Sequence, residues 1–149
     1  MSQLAISEEF LREFMEQAIP FNRFLGIRVA ELGKGFARLE LPFRPELIGD
    51  PLRPALHGGV LTTLLDTCGG LAVFTSSRAG DRVSTIDLRV DFLRPGRAEP
   101  LAAEARIVRV GNRVGVVDLT AFHPELPQEP IATGKGVYNI KRMPLGGGF

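Results

Sequence analysis

Tryptophan is absent from this chain of 149 residues, and tyrosine occurs once, at Tyr138. Ten phenylalanines are the main aromatic supply, so little is present to clamp a flat aromatic ligand. The single cysteine, Cys68, excludes an intrachain disulfide. Together with His57 and His123 it offers too few ligands, too widely spaced, for a metal site, so no metal is expected. Neither sign of charge dominates, with 18 Lys+Arg against 17 Asp+Glu scattered along the chain for a net +1. A general nucleic-acid binder would carry a basic patch or a higher pI, so no nucleic-acid partner is expected. No apolar run reaches the ~20 residues that span a bilayer. Gly69-Gly70 and polar residues interrupt the best candidate. The opening lacks the basic-then-apolar pattern of a secretory signal. A cytoplasmic protein with no membrane partner is the expectation.

What is present reads as one ordinary domain with enough material for a core. Ser7-Glu8-Glu9-Phe10 predicts a capped helix to about Ala18, ended by Ile19-Pro20, with Phe10, Leu11, Phe14 and Met15 on one side. Residues 1–18 are thus an N-terminal helix, 19–142 the main domain, and 143–149, with three glycines, a flexible tail. Ile27 to Leu32 and Phe36 to Phe43 predict a hairpin around Gly33-Lys34-Gly35. Arg44 to Ala55, with three prolines and a glycine, predicts a loop. Leu56 to Phe74 is an apolar, helix-like stretch. Beyond Gly80 the period becomes two: Ile86, Leu88, Val90 and Phe92 alternate with Asp87, Arg89 and Asp91 as a half-buried strand. Leu101 to Val110 and Val114 to Phe122 pair about Gly111-Asn112, and Ile131 to Ile140 is the last strand. Gly134 and Gly136 inside it mark a bend or a close backbone contact. The fold class is α+β, an antiparallel sheet wrapped around a long central helix.

One carboxylate, Asp66, stands in the middle of that apolar helix, nine residues after His57. Apolar neighbours on nearly every side predict that it is buried. It lies too far into the helix to be an N-cap. An ionised carboxylate there is costly unless it is paired or used. Either an arginine from elsewhere neutralises it, or it is kept poorly solvated and reactive. Gly58 and Gly59, poor helix formers, suit a helix start that a ligand approaches closely.

Three stretches carry a family likeness: Leu56-His57-Gly58-Gly59-Val60 with Asp66 following, Thr85 to Arg97, and Ala132-Thr133-Gly134-Lys135-Gly136. The chain resembles the hotdog-fold acyl-CoA thioesterases, in the branch named after the phenylacetate-pathway enzyme PaaI. Pro20 to Ile27 is similar to the start of the YigI-type members, which favour medium and long acyl chains. The likeness covers roughly residues 19 to 142. It implies a hotdog fold and a homodimer joined edge to edge, often paired again into a homotetramer. It implies hydrolysis of acyl-CoA to free fatty acid and CoA, with no cofactor beyond the substrate's own CoA. The family's carboxylate falls on Asp66, its oxyanion-binding N–H on Gly58, its loop histidine on His57 and its hydroxyl residue on Thr85. Many members carry Asn seven residues before the histidine. This chain has Asp50, which cannot donate the amide hydrogen bond. Asp50 and Gly59 are substrate-binding candidates, as are Arg94, Arg97, Arg113 and Lys135, which flank strand ends as point charges for coenzyme phosphates.

The residue types suit that chemistry. A thioester carbonyl under attack gains negative charge, which bare glycine N–H groups at a helix N-terminus stabilise. A carboxylate serves as the base for water or as the nucleophile. Gly58 and Asp66, however, lie about 12 Å apart along one helix axis. Two antiparallel helices across a dimer axis would bring Gly58 of one chain towards Asp66 of the other. Cys68 is expected to be buried filler, since on one helix it would lie about 16 Å from His57, and His123 a loop residue. An aryl-CoA thioesterase, a 3-hydroxyacyl thioester dehydratase and a non-catalytic acyl-CoA-binding module are the alternatives. The dehydratases use a histidine ahead of the central helix loop, and none precedes His57.

Overall fold

A computed structural model of the chain describes residues 4–144; the expected tail lies outside them from residue 145 onward. Ser7 caps the first helix, its Oγ accepting from the Phe10 N–H at 3.1 Å, with Glu8 and Glu9 in the first turn. The helix is not regular to Ala18. It is α-helical over α1 (Glu8–Glu13) and widens into a π turn over Phe14–Ala18. Ile19-Pro20 does not simply end it. Proline at a first helical position is pre-shaped for a new start, and α2 (Pro20–Leu25) follows, closed by Gly26 at φ +80°.

β1 (Arg28–Gly33) and β2 (Phe36–Leu41) form the expected hairpin. The segment read as loop is more ordered than its prolines suggested. It holds a 3-10 turn at Pro45–Leu47 and a small ribbon of β3 (Ile48–Asp50) and β4 (Ala55–Leu56). The ribbon leads directly into α3 (Gly58–Phe74), the long central helix. β5 (Arg82–Phe92), β6 (Leu101–Val110), β7 (Val114–Phe122) and β8 (Ala132–Lys141) complete an antiparallel six-stranded sheet in the order β1-β2-β6-β7-β8-β5.

One face of this sheet packs on α3. Ala37, Leu39, Leu41, Ala103, Ala105, Val117, Leu119 and Ala121 alternate inward against Leu61, Leu64, Leu65, Cys68, Leu71 and Ala72. The sheet residues are small where the helix is nearest. A Cβ on Gly115 would lie 2.9 Å from Val73, so that position admits no side chain without a shift.

Two expectations need correction. α3 is not buried on all sides: Thr62, Thr63, Asp66, Thr67 and Gly70 form a half-exposed stripe along it. The mostly apolar composition hid that stripe, because threonine and glycine read as neutral filler. β5 is an edge strand, and a bulge between Thr85 and Asp87 leaves Ile86 unpaired and 57% exposed. The extra residue shifts the alternation, so Thr85 shares the inward side with Leu88 and Val90. Phe92 and Leu93 are exposed at the far end of β5.

Among the described residues, no helix is long and apolar enough to cross a membrane.

Candidate active site

α3 carries Asp66 on its half-exposed stripe, and β5 brings Thr85 opposite through the bulge. Thr85 Oγ1 donates to Asp66 Oδ1 at 2.7 Å. β8 contributes Tyr138, whose hydroxyl donates at 2.9 Å to the Asp66 carbonyl and lies 3.3 Å from Oδ1. No arginine pairs with Asp66 among the described ion pairs. Among the described residues the carboxylate is held by hydroxyls alone. It borders a cavity of about 580 Å³ whose apolar wall comes from Phe14, Met15 and Ile19 before α2 and from Leu71 and Phe74 of α3. The Phe14 and Phe74 rings stack with centroids 6.1 Å apart.

The start of α3 is built differently. His57 is the N-cap, and its Nδ1 accepts the Gly59 N–H at 2.8 Å. Nδ1 is thereby the acceptor, which in the neutral ring leaves the proton on Nε2. The His57 N–H donates to the Leu47 carbonyl and the Leu56 N–H to the Gly96 carbonyl, both at 2.8 Å. Gly49 makes this seat possible, since a Cβ there would come within 2.7 Å of His57 Cα. Gly58 is the first residue of α3, where a backbone N–H has no acceptor within the helix and faces the positive end of the dipole. It borders a second cavity of about 430 Å³, shared with Leu61, Phe92 and Arg94. Within one chain, Gly58 and Asp66 therefore open on separate cavities.

Residues 54–128 match the thioesterase superfamily. The Escherichia coli (strain K12) protein named medium/long-chain acyl-CoA thioesterase YigI is 33% identical over 94% of this chain and 99% of its own. This chain belongs to the thioesterase superfamily. A solved Shewanella oneidensis protein related to that superfamily superposes on this thioesterase with a TM-score of 0.78 at 33% identity, covering 88% of this chain and 93% of the other. The E. coli PaaI protein, from the phenylacetic acid degradation operon, is alike in fold, with a TM-score of 0.73 at 24% identity over 93% and 97% of the two chains. The architecture is the expected hotdog, and the chain is a thioester hydrolase.

The remaining candidates of this thioesterase are spread over the molecule. Asp50 turns back on its own loop, accepting from the Leu52 and Arg53 N–H groups at 3.0 and 3.3 Å. Those bonds, the Arg53 one foremost, hold its carboxyl below the usual range. It closes the loop ahead of β4, a task for which an acceptor suffices. The Gly59 N–H is occupied by His57. Arg94 and Arg97 lie on the segment after β5, both facing Glu129 at 3.8 and 4.0 Å, and only Arg94 borders the Gly58 cavity. Arg113 is exposed at the β6–β7 turn, and Lys135 lies on the sheet face away from α3, 2.6 Å from Asp118. Neither borders the Asp66 or the Gly58 cavity.

Cys68 is the filler expected, buried near the Ala37 and Ala103 carbonyls with its thiol pKa pushed up by burial. His123 is the loop residue expected, just after β7, but it is not on the surface. It is buried, its Nε2 accepting the Arg97 N–H at 3.0 Å and its Nδ1 2.8 Å from the Pro100 carbonyl. It clamps the segment that bears Arg94 and Arg97. Tyr138 is the partner of Asp66 that sequence reasoning missed. Its signal was the glycines, Gly69 on α3 and Gly136 on β8, because a Cβ on either would overlap its phenol.

Proposed function

We propose that this thioesterase hydrolyses medium- and long-chain acyl-CoA to the free fatty acid and CoA. The Asp66 carboxylate acts as base or nucleophile and the Gly58 N–H as oxyanion donor. The observation that carries the reading is the half-exposed Asp66 carboxylate, held by Thr85 beside a cavity with a wall of Phe14, Met15, Ile19, Leu71 and Phe74. That wall suits an aliphatic tail, and the YigI relative is named for medium and long chains.

In the base form of the reaction, a water proton passes to the Asp66 carboxylate as the oxygen bonds to the thioester carbon. The carbonyl oxygen takes the charge, which the Gly58 N–H and the α3 dipole stabilise. The C–S bond then breaks and CoA leaves as thiolate. Eight residues of helix separate the two groups by about 12 Å, so one chain cannot place both on one carbonyl. The working unit is a homodimer in which Gly58 of one protomer faces Asp66 of its partner. The exposed β5 edge, with Ile86 and Phe92, is the apolar strip along which two sheets would join.

A chain-length series of acyl-CoAs with free-thiol detection tests the reading. Each buried methylene adds about 0.8 kcal/mol, nearly fourfold in affinity. The specificity constant is expected to climb from acetyl towards octanoyl or decanoyl and then flatten as the cavity fills. A flat series, or a preference for phenylacetyl- or benzoyl-CoA, overturns the chain-length reading.

A further inference from the structure

Tyr138 is the only tyrosine of the chain, and its hydroxyl ends against the residue proposed to do the chemistry. The side chain is 1% exposed, held between β8 and α3. Its hydroxyl reaches Asp66 twice, at the main-chain carbonyl and at Oδ1. Space for it is made on both elements. A Cβ on Gly69 would overlap the phenol oxygen, and one on Gly136 would overlap oxygen and ring together. Glycine inside a helix and inside a strand is costly to folding. A phenylalanine would fill the same core volume and need no partner for a buried hydroxyl. The arrangement serves the hydroxyl rather than the ring.

We propose that Tyr138 is a positioning residue for the Asp66 carboxylate. Its phenol and the Thr85 hydroxyl together occupy Oδ1, fix the carboxylate rotamer and leave Oδ2 as the oxygen that meets water or the thioester carbon. This rests on the assignment of Asp66 as the reacting group. Among the described residues no donor reaches Oδ2, while Oδ1 has two. Burial first, and then the Asp66 charge, raise the phenol's pKa, so Tyr138 stays a proton donor throughout the working range. Asp81, Arg82 and Lys141 border the same cavity and are unchanged by the test below.

The test is Tyr138→Phe, which removes one oxygen and keeps the ring. kcat is expected to fall about tenfold, the loss of one hydrogen bond to a charged group. KM should stay within about twofold, because the group acts on the carboxylate and not on the bound substrate. Thr85→Ala should act in the same direction, and the double variant should lose less than the product of the two, since both donors share one oxygen. Unaltered kcat in Tyr138→Phe, with Asp66→Asn inactive, would overturn the positioning role and leave Asp66 assigned. A lower urea midpoint with normal kinetics would overturn it equally, as the mark of a structural hydroxyl. Activity retained by Asp66→Asn would instead remove the assignment on which the role rests.

Discussion

At the residue scale, Asp66 differs from an ordinary surface carboxylate in what faces it. Hydroxyl donors from β5 and β8 meet it, and no cation pairs with it among the described residues. Asp66→Asn keeps its shape and removes both basicity and negative charge. Turnover is expected to drop by about 10²-fold or more, measured by thiol release under saturating acyl-CoA. Retention of over a tenth of wild-type turnover would show that the carboxylate is not the reacting group. The position of Asp66 was legible in the sequence because a lone acid in an apolar helix needs an explanation. Its half-exposure and hydroxyl partners were not, since Thr85 and Tyr138 stand 19 and 72 residues away and meet it only through the sheet register. Asp50 is the opposite case: its partners are two and three residues on, in a turn its own side chain forms.

At the element scale, the strands announced themselves by alternation, and the central helix by its length and its glycine start. What stayed hidden were departures from regularity. The π turn at Phe14–Ala18 and the bulge at Ile86 depart from regularity without a compositional mark, and the Pro20 that leads α2 reads equally as the stop of the helix before it. One connection is also more than a link between elements. Asp81, between α3 and β5, has a fully buried side chain that accepts from the Arg78 and Met143 N–H groups and from Arg142. Burial alone would raise its carboxyl pKa, but those hydrogen bonds and the Arg142 charge outweigh it and the net shift is downward. A depressed folded-state pKa contributes stability above the unfolded carboxylate range, lost as pH falls through the folded value. Urea midpoints should therefore drop on acidification, and less steeply in Asp81→Asn than in wild type. Arg142→Met, which leaves the buried carboxylate short of its cation, should cost about 2 kcal/mol at neutral pH. An unchanged midpoint would mean that the clamp contributes nothing.

At the scale of the whole molecule, one edge of the sheet is left open. β5 has a strand neighbour on one side only; its bulge leaves Ile86 exposed, and Phe92 and Leu93 are exposed at its far end. A charge on that edge should block strand pairing between copies. Ile86→Lys is expected to sediment as a folded monomer and to lose hydrolysis together with association. An active monomer would refute the shared site. A complementary result is expected from two inactive chains, Asp66→Asn and Gly58→Pro, since proline is tolerated at a first helical position. Mixed and allowed to exchange subunits, they should regain activity, because one site in the heterodimer combines the intact Gly58 of the first with the intact Asp66 of the second.

The separation of Gly58 and Asp66 into two cavities of one chain also has a kinetic meaning. On the proposed shared site each half-site is inert by itself, and a newly made copy is expected to hydrolyse nothing until it meets another. Specific activity should then stay constant at high protein concentration and decline on dilution once dimers begin to dissociate. Far below that point the rate should follow the square of the chain concentration. The catalytic rate becomes a direct reading of the association equilibrium, and acyl-CoA that bridges two protomers should shift that equilibrium towards the active form.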